Sequence, residues 1–250
     1  MRQNKITFED AGAEQDAEQN ATCNVPYPAN AWYAMATDES MTLEERDEAA
    51  KQLETLADSG GRHAQYLTGI LYRDGGLLIP DAEKARHYLG LAALQDHAAA
   101  QYALGILLLS DEPETQNPAQ GLYWLKRAAQ NGSDYAAYRL GKEYLSGKNA
   151  PKEPERAAEY VSMAAERGNP YAQYLLGKLY LSGDGVPKDR DAAYDWFQKA
   201  QAQGHDYAGF FVDRIERQEP PNILLSATRL LYHMGKIFQS SAPAPPMAPK

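Results

Sequence analysis

The stretch AQYLLGKLYLSGDGVPKD, residues 172–189, decides the fold. Its apolar residues recur at helical spacing through Gly177, and the run then breaks at Ser182-Gly-Asp-Gly-Val-Pro187, where two glycines and a proline end a helix. Just upstream, Asn169 is a good N-cap and Pro170 suits the first helical position, where its missing N–H costs nothing. Downstream, residues 190–203 read as a second helix that stops at Gly204 in the C′ position. The unit is two helices joined by a short turn.

The same unit recurs. Gly69, Gly105, Gly141 and Gly177 lie 36 residues apart. Three positions before them stand Tyr66, Tyr102, Tyr138 and Tyr174, continued by Phe210; five before stand Ala64, Ala100, Ala136, Ala172 and, in phase, Ala208. In the second helix the columns are Tyr88, Trp124, Tyr160 and Trp196, then Ala92, Ala128, Ala164 and Ala200. Gly60, Gly132, Gly168 and Gly204 punctuate the units. Antiparallel helix pairs stacked in series make an all-α solenoid. A glycine inside a helix costs about 1 kcal/mol relative to alanine, so the glycine column predicts a helix contact too close for a Cβ. The Tyr88/Trp124/Tyr160/Trp196 column is the expected filler of the adjoining space.

The run from Ala172 to Asp189, continuing to Ala193, Trp196 and Ala200, resembles a Sel1-like repeat. The resemblance covers residues 63–211, and it implies a right-handed α-solenoid of helix-turn-helix repeats related to tetratricopeptide arrays, which serve as adaptors and scaffolds. The turns at 73–80 and 110–118 lack the paired glycines, so loops of another shape are expected there. Secreted members of that family carry a cysteine pair in each repeat, and this chain has none. A narrower resemblance joins Leu77-Leu-Ile-Pro-Asp81 and residues 226–238 to the carboxy-terminal, repeat-bearing region of relaxase-type mobilisation proteins of gut bacteria. Nicking activity is not implied, because no His-x-His occurs. An accessory role in DNA mobilisation is the alternative reading that this resemblance leaves open.

The array, residues 61–219, needs caps, because an end repeat exposes the face that its neighbours bury. Residues 28–60 read as a degenerate capping repeat: a first helix near 30–37, then a second helix to Asp58 opened by a capping box at Thr42 and Glu45. At the other end, residues 220–239 form an amphipathic pattern with Ile223, Ala227, Leu230, Leu231, Met234 and Phe238 on one side. That helix either caps the last repeat or detaches to meet a partner groove or membrane surface. Residues 1–27 are expected to be a disordered acidic leader, and 240–250 a Pro/Ala-rich tail.

The net charge of −9 is concentrated: residues 1–60 carry 13 acidic and 4 basic side chains, and the rest carry 21 of each. No basic stripe tracks a phosphate backbone, so direct nucleic-acid binding is not expected. No apolar stretch reaches the roughly 20 residues of a membrane span. Cys23 is the only cysteine, which excludes an internal disulfide framework and makes cytoplasmic residence the expectation. Five scattered histidines and no Cys-x-x-Cys or His-Glu-x-x-His give no metal site, and Gly141-Lys142 and Gly177-Lys178 lack the upstream glycine of a phosphate loop. Neither a cofactor nor catalysis is expected.

Binding is the remaining class. Counted from the glycine column, positions −5, −3, −1, 0, +3 and +4 gather on one side of the first helix at 100° per residue. The opposite side carries −6, −2, +1 and +5, which the repeat does not dictate. There stand Tyr135, Arg139 and Lys142 in the third unit, Tyr171 and Lys178 in the fourth, and Tyr207, Phe211 and Arg214 in the fifth. First helices normally line the concave wall of such solenoids, so Tyr135, Arg139, Lys142, Tyr171, Lys178, Tyr207 and Arg214 are the candidate surface for a protein or peptide partner. An ordinary solvated helix face is the competing reading.

Overall fold

The computed structural model describes residues 28–74, 80–110 and 116–217, and the expectations for 1–27, 220–239 and 240–250 lie outside them. Among the described residues every regular element is a helix: α1 (Ala29–Thr37), α2 (Leu43–Asp58), α3 (Arg62–Asp74), α4 (Ala82–Leu94), α5 (Ala98–Leu108), α6 (Pro118–Gln130), α7 (Asp134–Ser146), α8 (Pro154–Glu166), α9 (Pro170–Ser182), α10 (Arg190–Ala202) and α11 (Asp206–Glu216). Each helix packs on the next, and α3 also touches α1 and α5, so odd-numbered helices form one wall and even-numbered helices the other. This is an all-α helical solenoid, as the repeat requires.

Capping residues set the helix starts. Asn169 accepts the Ala172 N–H, Ser133 that of Ala136, and His97 Nδ1 that of Ala100, all three positions into their helices. Thr42 and Glu45 close a capping box at the head of α2. At the ends, Gly147 and Gly183 take φ of +73° and +82°, the left-handed turn that stops α7 and α9.

The glycine column marks the closest approach within each pair. A Cβ on Gly69 would meet Leu89 Cγ at 2.6 Å, on Gly105 Leu125 at 2.8 Å, and on Gly177 the Phe197 ring at 2.8 Å; on Gly141 it would collide with Val161 Cγ2. The filler is thus the column Leu89/Leu125/Val161/Phe197, all fully buried, one residue beyond the aromatic column expected from the sequence. The aromatics turn sideways. Tyr88 stacks on Tyr72 at 6.1 Å and Tyr160 on Tyr144 at 5.8 Å, while Trp124 and Trp196 lie under Arg127 and Lys199.

Loop sequence matters less than loop closure. In every repeat the N–H of the residue before the second helix donates to the carbonyl three past the glycine: Asp81 to Tyr72, Asn117 to Leu108, Glu153 to Tyr144 and Asp189 to Tyr180, at 2.8–3.0 Å. The units that lack paired glycines close with the same bond as the unit that has them.

A polar clasp ties the first helices α3, α5 and α9 to the repeat before each of them. Gln65, Gln101 and Gln173 donate to the carbonyls of Ala57, Ala93 and Ala165, and each accepts a bond from the side chain ending its own second helix, Gln95, Asn131 or Gln203. The third repeat has Ala137 where the glutamine belongs. There Arg167, in the slot of Gln95, Asn131 and Gln203, reaches across and donates to Ala129 O at 2.8 Å. The carbonyl that Ala137 cannot serve is satisfied all the same.

Candidate interaction surface

The odd-helix wall carries aromatic rings that interlock between repeats. Tyr102 of α5 meets Tyr135 of α7 at 6.4 Å, Tyr138 meets Tyr171 of α9 at 6.2 Å, and Tyr174 meets Tyr207 of α11 at 6.4 Å. In each pair the ring at −3 of one repeat touches the ring at −6 of the next. The wall is therefore built from −6, −3 and +1, whereas the sequence placed −3 on the inner side. Positions −3 and +1 are four residues apart and share a helix face. Lys142 and Lys178 sit over the Tyr138 and Tyr174 rings at 5.6 and 5.8 Å.

Burial pushes the hydroxyls of Tyr102, Tyr135 and Tyr138 above the ordinary tyrosine range. Tyr171 projects furthest, with 49% of its surface exposed. His205, at the head of α11, is wedged among Tyr174, Tyr171 and Tyr207, and burial pushes its imidazole below the usual histidine range.

The structure corrects the expected row in three places. Phe211 is core: it stacks on Phe197 at 4.6 Å, and Leu67 and Ala103 at the same −2 position are buried too. Arg214 is also buried, 7% exposed, and does not present its charge on the wall. Arg139 stays partly exposed but is committed. Its Nη2 lies 2.7 Å from an oxygen of Glu143, a carboxylate 4% exposed at a position held by Leu71, Leu107 and Leu179 in the other repeats. Asn149 Nδ2 donates to the second oxygen of Glu143 at 2.9 Å. In the third repeat an ion pair thus replaces apolar packing. The sequence signal was available, since Arg139 and Glu143 both break apolar columns four residues apart.

Among the described residues no helix is long and apolar enough to cross a membrane, and no group of three His, Cys, Asp or Glu side chains could hold a metal ion.

The Sel1 repeat family model matches four consecutive segments, 62–97, 98–133, 134–169 and 170–205. A Sel1 repeat protein from Oxalobacter formigenes is 34% identical over 67% of this chain and 48% of its own, with a TM-score of 0.59. The protective antigen c5321 of uropathogenic Escherichia coli, displaying an SLR fold, matches 95% of this chain and 52% of its own with a TM-score of 0.65; at 23% identity it speaks for the fold alone. The chain spans about half the length of these two structures. No curated protein matches it. Nothing in these comparisons supports the resemblance to relaxase-type mobilisation proteins. Sel1 repeats are generally protein–protein interaction modules, and their fold is usually a non-catalytic scaffold. With four repeats matched end to end across more than half of its length, the chain belongs to the Sel1-repeat family.

Proposed function

We propose that the chain is a non-catalytic adaptor that holds a protein or peptide segment against the odd-helix wall, and that it does so in the cytoplasm. Tyr135, Tyr171 and Tyr207 supply the aromatic contact, with Lys142 and Lys178 beside them and Arg139 joining through its pair with Glu143. Arg214 contributes from beneath as a packing residue. The observation that carries this reading is the ring pair repeated at three successive seams, Tyr102–Tyr135, Tyr138–Tyr171 and Tyr174–Tyr207. Tyrosine gives large, rigid contact area at small entropic cost, and buried aromatic anchors dominate interface energetics. Half-exposed rings on a rigid helix face are such anchors before a partner covers them.

Pull-down from the native lysate, followed by binding kinetics, tests this. Tyr171→Ala is expected to raise the off-rate at least several-fold, with helical circular dichroism unchanged. Wild-type capture by a folded Tyr171→Ala, Lys142→Glu double variant would move the interaction surface elsewhere, with the even-helix wall as the next candidate.

A further inference from the structure

Asn131 and Gly132 form the only Asn-Gly pair in the chain. The C-cap slot of the second helices holds Gln95, Asn131, Arg167 and Gln203 in turn, so a short side-chain amide meets a following glycine in the second repeat alone. Attack on the Asn131 Cγ by the next backbone nitrogen closes a five-membered ring, whereas glutamine would need a larger and slower one. Glycine puts no side chain in the way of that nitrogen. Both residues are exposed, and a Cβ on Gly132 would meet nothing within 4 Å. Gly132 has a φ of +98°, the left-handed turn that stops α6, so the helix stop itself calls for the reactive neighbour.

In the closed clasp the reacting atoms are held apart. The ψ of Asn131 is +14°, which sets the Gly132 nitrogen beside the Asn131 nitrogen and turns it away from Cβ. The Gly132 N–H donates to Ala129 O at 3.2 Å, and Asn131 Nδ2 donates to Gln101 Oε1 at 3.0 Å. Ring closure requires rotation about Cα–C and loss of both bonds, which is a local opening of the end of α6. We propose that Asn131 is a spontaneous deamidation site that the clasp of the second repeat shields. When that end opens, the Gly132 nitrogen gives up its proton and bonds to Cγ, and the Cγ–Nδ2 bond breaks to release ammonia, which carries the proton away. Water then splits one of the two imide C–N bonds, leaving aspartate or, with the main chain rerouted through Cβ and Cγ, isoaspartate. Neither product closes the clasp again. A carboxylate has no hydrogen to give Gln101 Oε1, and Gln101 Nε2 is already held by Ala93 O and Asp96 Oδ1. The new charge also stands at a helix C-terminus, where an anion is disfavoured. Isoaspartate lengthens the main chain by a methylene just ahead of Ser133, the N-cap of α7.

Incubation of the full chain in mildly alkaline buffer, followed by tryptic mapping with mass spectrometry, tests the proposal. Cleavage after Arg127 and Arg139 isolates Asn131 as the one asparagine of its peptide. The acid should accumulate there as both aspartate and isoaspartate. It should form at least about tenfold faster in urea above the unfolding midpoint, because the folded chain reacts only in its opened fraction. Gln101→Leu, which removes the acceptor, should quicken the reaction in buffer while circular dichroism stays helical. A second measurement does not depend on that variant. Asn131→Asp should melt about 2–4 °C below wild type, whereas Asn131→Gln, which copies Gln95 and Gln203, should melt with wild type and stay unconverted. Equal rates in buffer and urea would overturn the shielding, and no conversion in urea would overturn the site. An Asn131→Asp chain as stable as wild type would overturn the loss of the clasp.

Discussion

Arg139 and Glu143 show how a single repeat can break its own pattern without breaking the fold. Removing one partner of a buried pair leaves the other charge stranded, whereas replacing both by apolar residues is often neutral or stabilising. Arg139→Glu should therefore cost about 3 kcal/mol, a core-sized loss from a residue that reads in the sequence as open surface. The double change Arg139→Leu, Glu143→Leu restores the columns of the fourth repeat and also removes the Nε of Arg139, buried and without a hydrogen-bond partner. It should equal or exceed wild type in urea midpoint; a double variant as weak as Arg139→Glu would refute this account. His205 is the second informative residue. Unlike His97, its side chain makes no cap bond, and its Nδ1 is buried without a partner. Because its folded pKa lies below its unfolded value near 6.5, the unfolded chain takes up the proton first as pH falls. The stability it contributes is complete above that value and drains away below it. His205→Asn, which copies the cap of Asn169, should lose less melting temperature than wild type between pH above 7 and pH below 6. Equal losses would mean that other groups set the acid sensitivity.

For the elements, the glycine column is the sharpest test of how the helix pairs are made. Alanine at a helical glycine ordinarily gains about 1 kcal/mol. At Gly141 the added Cβ would run into Val161 and stand 3.1 Å from the Ala157 carbonyl, so Gly141→Ala should destabilise by about 1–3 kcal/mol instead. Val161→Ala in the same chain should recover part of that loss, a coupling that a double-mutant cycle reads directly. Helix positions were legible in the sequence because glycines, prolines and N-caps recur in register: the expected 190–203 helix and the observed Arg190–Ala202 differ by one residue. The facing residue was not legible. Periodicity says which positions point inward but not which of two neighbours, Trp196 or Phe197, meets the glycine across the pair. The loop closures were equally hidden, because a backbone bond such as Asn117 to Leu108 leaves no mark on side-chain identity.

At the scale of the whole molecule, the 36-residue interval was sufficient to name the solenoid, and the structural neighbours agree with it. The wall was read only in part. Tyr171 and Lys142 stand outward, while Phe211 and Arg214 are buried: Phe211 stands in the −2 column, which also buries Leu67 and Ala103, and it stacks on Phe197. A fixed angular rule cannot see that difference. The clasps carry a further consequence. Each glutamine, and the side chain that closes on it, lie inside one 36-residue unit and reach back to a carbonyl that every preceding unit offers. Ala137 and Arg167, the one departure among the four matched units, also travel together within 134–169. A unit is thus a cassette, and a gene could gain or lose one by unequal crossing-over without leaving a single seam mismatched. Deletion of 134–169 is expected to yield a shorter, cooperatively folded solenoid in which Gln173 donates to Ala129 O in place of Arg167. Deletion of half that length, 152–169, which removes α8 alone and sets the first helices α7 and α9 in succession, should not fold.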